Sequence, residues 1–141
     1  MAALPWRERL RRRDLLIRSL RRFFQQRDCI EVETPIRVLS PGIDPHIDAL
    51  PAGERFFLST SPELEMKKLL AAGMARIFQI TRAFRADEKG DLHSPEFSLL
   101  EWYSAGEDYG DLMDKNESLD RDARAGLEEA HVPHRYVRVT C

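Results

Sequence analysis

A chain of 141 residues, 43% hydrophobic and 33% charged, has the length of one globular domain and the composition of a folded chain. Its formal net charge of -2 conceals an asymmetry: residues 1–27 carry nine arginines against Glu8 and Asp14, a balance of +7, which leaves -9 for the remainder. No apolar run approaches the roughly eighteen residues of a membrane span. Cys29 and Cys141 lie far apart without a CxxC or a histidine at ligand spacing, so neither a disulfide scaffold nor a zinc site is supported, and a reducing cytoplasm is the expected setting.

The first predicted element is an amphipathic helix from about Trp6 to Gln26. Leu16, Ile17, Leu20, Phe23 and Phe24 recur at three-and-four spacing, and Arg12, Arg13, Arg18, Arg21 and Arg22 fall mostly on other faces. An Arg-rich targeting peptide and a nucleic-acid arm are the competing readings of such a stretch. Glu8, Asp14 and sparse serine weigh against the first. Cys29, Ile30, Val32 and Thr34 then alternate with Glu31 and Glu33, predicting a short strand that Pro35 stops. The turn formers between Ser40 and Pro51 mark an irregular loop, and Phe56, Phe57 and Leu58 a short buried strand. Ser61 followed by Pro62 signals a helix start, and that helix carries Leu64, Leu69 and Leu70 before ending at Gly73.

Two strands follow, Arg76 to Arg85 and Glu96 to Tyr103, joined by the polar turn Ala86 to Ser94 in a long antiparallel hairpin. Period-two alternation gathers Arg85 of the first strand and Phe97, Leu99, Glu101 and Tyr103 of the second onto one face. A cation, an aromatic plate and a carboxylate on a rigid sheet suit a nucleotide together with an amine: Arg85 for a phosphate, Phe97 for a base, Glu101 with Tyr103 for an ammonium group. The same residue types also occur as ordinary ion pairs and half-buried aromatics on hairpins. Residues 107–130 form an acidic terminal helix through Leu112, Met113, Leu119 and Leu127, and Tyr136, Val137 and Val139 begin something strand-like.

The order of these segments resembles that of a known family. Arg27-Asp28-Cys29-Ile30-Glu31-Val32-Glu33-Thr34-Pro35, following a long helix, resembles motif 1 of class II aminoacyl-tRNA synthetases. Phe84-Arg85 with His93, Phe97 and Glu101 at four-residue intervals resembles motif 2. Between them, Thr60-Ser61-Pro62-Glu63-Leu64 resembles the substrate-binding segment of the lysine, aspartate and asparagine subgroup. His93-Ser94-Pro95-Glu96-Phe97, Leu100-Glu101-Trp102-Tyr103 and Met66-Lys67-Lys68-Leu69-Leu70-Ala71-Ala72-Gly73 look most like the elongation factor P lysine lysyltransferases, paralogues of lysyl-tRNA synthetase. The resemblance places motif 1 at about residues 20–35 and motif 2 at about 82–103.

It implies an α+β class II catalytic core, an antiparallel sheet flanked by helices, covering residues 1–141 in part and without an anticodon-binding domain. It also implies ATP-dependent activation of lysine or β-lysine, with Mg²⁺ as cofactor, and transfer to a lysine of elongation factor P. Carried over residue by residue, Arg85 binds the α-phosphate and the substrate carboxylate as the catalytic group, His93 lies near the terminal phosphates, and Phe97 stacks on adenine. Glu63, Glu101 and Tyr103 hold the substrate's amino groups. The usual Arg-x-Glu is here Arg85-Ala86-Asp87 with Glu88 one place on, so the acidic ATP contact falls to Asp87 or Glu88. Ser94 replaces the lysine-type asparagine. Motif 3 and the metal-holding acids are expected beyond Cys141, which makes the chain an incomplete copy, inactive in adenylation by itself. A homodimer through motif 1 is expected, with neither a membrane nor tRNA as partner. The alternatives are a lysyl-tRNA synthetase fragment and a non-catalytic dimerising module.

Overall fold

The apolar stripe of the basic N-terminal stretch is helical in the computed structural model, which describes residues 5–42, 47–86 and 93–128. The elements run α1 Trp6–Gln25, β1 Ile30–Glu31, β2 Arg37–Val38, β3 Phe57–Leu58, α2 Glu63–Ala71, β4 Arg76–Phe84, β5 Glu96–Ser104 and α3 Tyr109–Glu128. They fall into two units, Met1–Cys29 with Gly106–Cys141, and Ile30–Ala105. Among the described residues no helix is long and apolar enough to cross a membrane.

In the first unit α1 packs on α3. Leu20, Phe23 and Phe24 from the predicted stripe are buried with Leu119 and Ala123, and the two phenylalanine rings meet edge to face at 5.1 Å. The helices come close at Gly126, where a Cβ would lie 2.1 Å from Ser19 Oγ. Glu8–Arg12, Asp14–Arg18 and Asp120–Arg124 pair at i,i+4 on exterior faces, each worth about 0.3–0.5 kcal/mol. The acidic helix starts at a reciprocal cap, in which Asp108 Oδ1 accepts the Asp111 amide at 3.1 Å and Asp111 Oδ2 accepts the Asp108 amide at 2.9 Å. Its packing differs from expectation. Leu112 and Met113 are exposed, because the face that meets α1 is the one bearing Leu119 and Ala123. Tyr136, Val137 and Val139 lie outside the described residues.

The predicted strand from Cys29 starts one residue later, at Ile30. Cys29 belongs to the turn that closes α1: its amide donates to Phe24 O at 3.1 Å and that of Asp28 to Gln25 O at 3.2 Å, the paired bonds of a Schellman ending. Asp28 takes the left-handed position, φ 56°, that glycine usually fills. It also sets a negative charge at the negative end of the helix dipole. Asp28→Gly is therefore expected to stabilise the chain by about 0.5–1 kcal/mol, read as a higher urea midpoint at unchanged slope. A lower midpoint would show that the aspartate side chain contributes more than its backbone costs.

In the second unit the sheet order is β1-β4-β5. The predicted hairpin forms with Arg76 opposite Ser104 and Phe84 opposite Glu96. The sheet is not purely antiparallel, however: β1 runs parallel to β4, Ile30 facing Ile77. The chain between them, with β2, β3 and α2, is long enough to return it in the same direction, as parallel pairing requires. Strand β1 is short, and after it Val32 N still donates to Phe78 O at 2.9 Å before the chain leaves toward Pro35.

β3 pairs with β2 and bridges Pro51 through Phe57, apart from the three-stranded sheet, and Phe57 and Leu58 are half-buried where a buried strand was expected. Phe56 stands outside β3, its ring 4.0 Å from the Arg37 guanidinium. Helix α2 ends at Gly73, φ 97°, as expected. Its core residue is Met66, while Leu64, Leu69 and Leu70 are only half-buried. Val38, Met66, Ile77, Phe78 and Ala83 form the apolar interior, with Thr34, Ser59, Thr60 and Gln79 as its buried polar residues.

Candidate active site

The hairpin register confirms the shared face. Ala83 lies opposite Phe97, Thr81 opposite Leu99, Gln79 opposite Glu101 and Ile77 opposite Tyr103. Arg85 directly follows β4, its amide donating to Pro95 O at 2.9 Å across the hairpin mouth. The segment 59–61 is tied beside this strand end, because Phe84 N donates to Ser59 O at 2.9 Å. Pro41 O accepts both the amide and the hydroxyl of Thr60, at 3.2 and 2.8 Å. That approach needs a glycine at 42, where a Cβ would stand 2.7 Å from Thr60 Oγ1. The tie delivers Ser61 and the first turn of α2, including Glu63, to the hairpin.

Two groups result. In the first, Glu101 is held at both oxygens: the Tyr103 hydroxyl donates to Oε1 and the Ser61 hydroxyl to Oε2, each at 2.7 Å. Ser61 Oγ also accepts the Glu63 amide at 3.2 Å, joining the helix start to the carboxylate. Glu63 itself carries Lys67 on Oε1 at 2.5 Å, so a resident cation already offsets part of its charge. Neutral hydroxyls leave the charge of Glu101 intact. In the second group, the Arg85 guanidinium lies 5.0 Å from the Phe97 ring centre, and Arg85 Nε approaches Thr60 O at 3.5 Å. This pairs a cation of the kind that can bind phosphate with an aromatic ring of the kind on which a base can stack.

Tyr103 reports the electrostatics. Burial first, then its hydrogen bond to Glu101 and the charges of Glu101 and Glu63, push the phenol well above its ordinary 10.0. It therefore remains a hydrogen-bond donor throughout the working range. Above pH 10 the folded chain keeps a proton that the unfolded chain loses, so the Tyr103 contribution to stability is complete below pH 10 and declines above it. Ultraviolet titration is expected to show a late-ionising tyrosine, and Tyr103→Phe to remove that late step. A late step that survives in Tyr103→Phe, or none in the parent, would contradict this assignment.

Of the residues singled out from sequence, Glu63, Glu101 and Tyr103 come together, as do Arg85 and Phe97. His93 stands exposed three residues ahead of β5. Asp87 and Glu88 lie outside the described residues. Ser61 as a Glu101 partner was not anticipated, since Ser-Pro before a helix reads first as a cap. Gln79, opposite Glu101, was missed although counting the hairpin register would have found it. Among the described residues no group of three or more His, Cys, Asp or Glu could hold a metal ion.

Comparison with known proteins places these features. Residues 4–140 match the family described as tRNA synthetases class II (D, K and N). The chain is 42% identical over 121 residues to the elongation factor P–(R)-beta-lysine ligase of Vibrio parahaemolyticus, covering 79% of this chain and 38% of that protein. Ligases of the same name from Photobacterium profundum and Mannheimia succiniciproducens are 36% identical over 129 residues and 42% over 113, covering 82% and 74% of this chain. The chain spans 38%, 40% and 35% of the three relatives.

Proposed function

Because this chain belongs to the class II tRNA synthetase family of the D, K and N type, we propose that its hairpin site takes part in activating lysine or β-lysine with ATP. The substrate carboxylate attacks the α-phosphorus, pyrophosphate leaves, and an aminoacyl-adenylate forms. The amine of an elongation factor P lysine then attacks the carbonyl carbon, and AMP leaves. The names of the similar ligases support elongation factor P as acceptor. The observation that carries the reading is Glu101, an ionisable carboxylate held at both oxygens by neutral hydroxyls and sharing a sheet face with Phe97.

Within this reading Glu101 receives the substrate ammonium, Tyr103 and Ser61 fix the carboxylate, and Glu63 adds negative potential from α2. Arg85 swings from Phe97 to the α-phosphate, where its planar fork matches the charge that builds during in-line attack. Adenine takes the ring face that Arg85 vacates. His93, with Asp87 or Glu88, serves the nucleotide. The described residues contain no cluster of three or more His, Cys, Asp or Glu that could hold Mg²⁺. Two chains associate through α1 and Ile30 to Pro35.

Two measurements test this. Titration followed by NMR is expected to shift Ser61, Glu101 and Tyr103 with lysine and much less with norleucine, which lacks the amine; equal responses would overturn the amine site. Lysine-dependent ATP–pyrophosphate exchange by the 141-residue chain is expected to stay at background, since residues 104–141 contain no glycine-rich, arginine-bearing segment of the motif 3 kind. Robust exchange would show that these residues form a complete site.

A further inference from the structure

Gln79 is 2% exposed in a strand whose other buried residues, Ile77, Phe78 and Ala83, are apolar. Burying a carboxamide there costs free energy unless it is bonded, and a methionine of similar volume packs without that cost. The register sets Gln79 directly opposite Glu101. Across such a pair the Cβ atoms are about 5 Å apart, within reach of two long side chains. A carboxamide N–H donating to a carboxylate is a strong, charge-assisted bond, so this pair has every reason to close. The carboxamide is instead anchored through its oxygen, on the side of β4 away from β5. Gln79 Oε1 accepts the Thr34 hydroxyl at 2.9 Å, a buried bond between the segment after β1 and the middle of β4, while the Glu101 oxygens go to Ser61 and Tyr103.

We propose that Thr34 locks the Gln79 carboxamide away from Glu101, keeping the carboxylate open to the substrate's ammonium group. Thr34 is then a positioning residue for amine recognition, acting by restraining Gln79, an inference that rests on the amine-binding reading of Glu101. Each oxygen of an ionised carboxylate accepts about two bonds. With Ser61 and Tyr103 in place, one position remains on each oxygen, and an unlocked Gln79 N–H fills one of them in competition with the ligand. The penalty falls on ligands that bear the amine. A ligand with lysine's chain and no amine does not meet it.

The test is calorimetric titration of the 141-residue chain and its variants with lysine and with norleucine. Thr34→Val is expected to weaken lysine about tenfold and leave norleucine within about twofold, tenfold being the scale of one lost charge-assisted bond. Thr34→Ser, which keeps the donor, binds like the parent. Gln79→Met, which has no N–H to compete, stays within about twofold of the parent. The double variant Thr34→Val with Gln79→Met recovers the lysine affinity that Thr34→Val loses. A double variant as weak as Thr34→Val, or parallel losses for both ligands, would mean a packing role only and would overturn the lock. Should Thr34→Val fail to fold, Gln79→Met decides, since a tenfold loss there contradicts a competing amide. A parent chain that does not prefer lysine over norleucine overturns the amine site and the lock together. A parent that does, with Thr34→Val unchanged, overturns the lock alone.

Discussion

Glu101→Ala is expected to weaken lysine binding by about 1.5–3 kcal/mol, roughly ten- to a hundredfold, while changing norleucine binding little. The size follows from the partners: a carboxylate bonded by two hydroxyls at 2.7 Å is already oriented, so little ordering cost remains when the ammonium arrives. Glu101→Gln separates charge from shape, and most of the loss is expected to persist in it because a carboxamide retains the hydrogen-bonding outline without the charge. The same substitutions bring the Tyr103 phenol down toward its ordinary value, since after burial the hydrogen bond to Glu101 and its charge contribute most to the rise. Lysine affinity unchanged in Glu101→Ala would remove the site's central residue.

Arg85→Ala is the second large loss, in nucleotide rather than amine binding. Charge-assisted bonds to phosphate contribute about 1.5–3 kcal/mol, so ATP affinity is expected to fall by roughly ten- to a hundredfold. Part of the interaction is offset beforehand: the guanidinium must leave the half-buried Phe97 ring, 5.0 Å away, a contact worth about 0.5–2 kcal/mol. Arg85→Lys restores little, because an ammonium lacks the planar fork. Phe97→Ala separates the two contributions, since it weakens adenosine as well as ATP, whereas Arg85→Ala spares adenosine. A fluorescent ATP analogue reads both, and equal affinity in Arg85→Ala would refute the assignment.

The hairpin was legible because strand alternation is a local rule: once Phe97, Glu101 and Tyr103 are spaced by even numbers, they share a face wherever the sheet lies. The basic helix was legible for the same reason at period 3.6. What the residues could not display is what each element packs against. Leu112 and Met113 look like core and are exposed, because the α1 partner selects the face with Leu119 and Ala123. The parallel seat of β1, the bond from Thr34 to Gln79 and the bond from Ser61 to Glu101 join residues 40 or more positions apart, beyond the reach of any periodic pattern. The family resemblance identified the segments that meet, and the sheet register supplied how they meet.

Parity in the hairpin has a consequence for which changes the chain can absorb. The connection between Arg85 and Glu96 can lengthen or shorten while Ala83 and Phe97 stay opposed, so loop variation leaves the face intact. Deleting Leu99 alone would turn Glu101 and Tyr103 to the side opposite Phe97, splitting the amine and base positions between two faces without removing one functional side chain. Deleting Leu99 and Leu100 together restores the facing and shortens the span by about 7 Å. The site is thus encoded in odd and even spacing, and mutational tolerance along β5 should alternate between one-residue and two-residue steps.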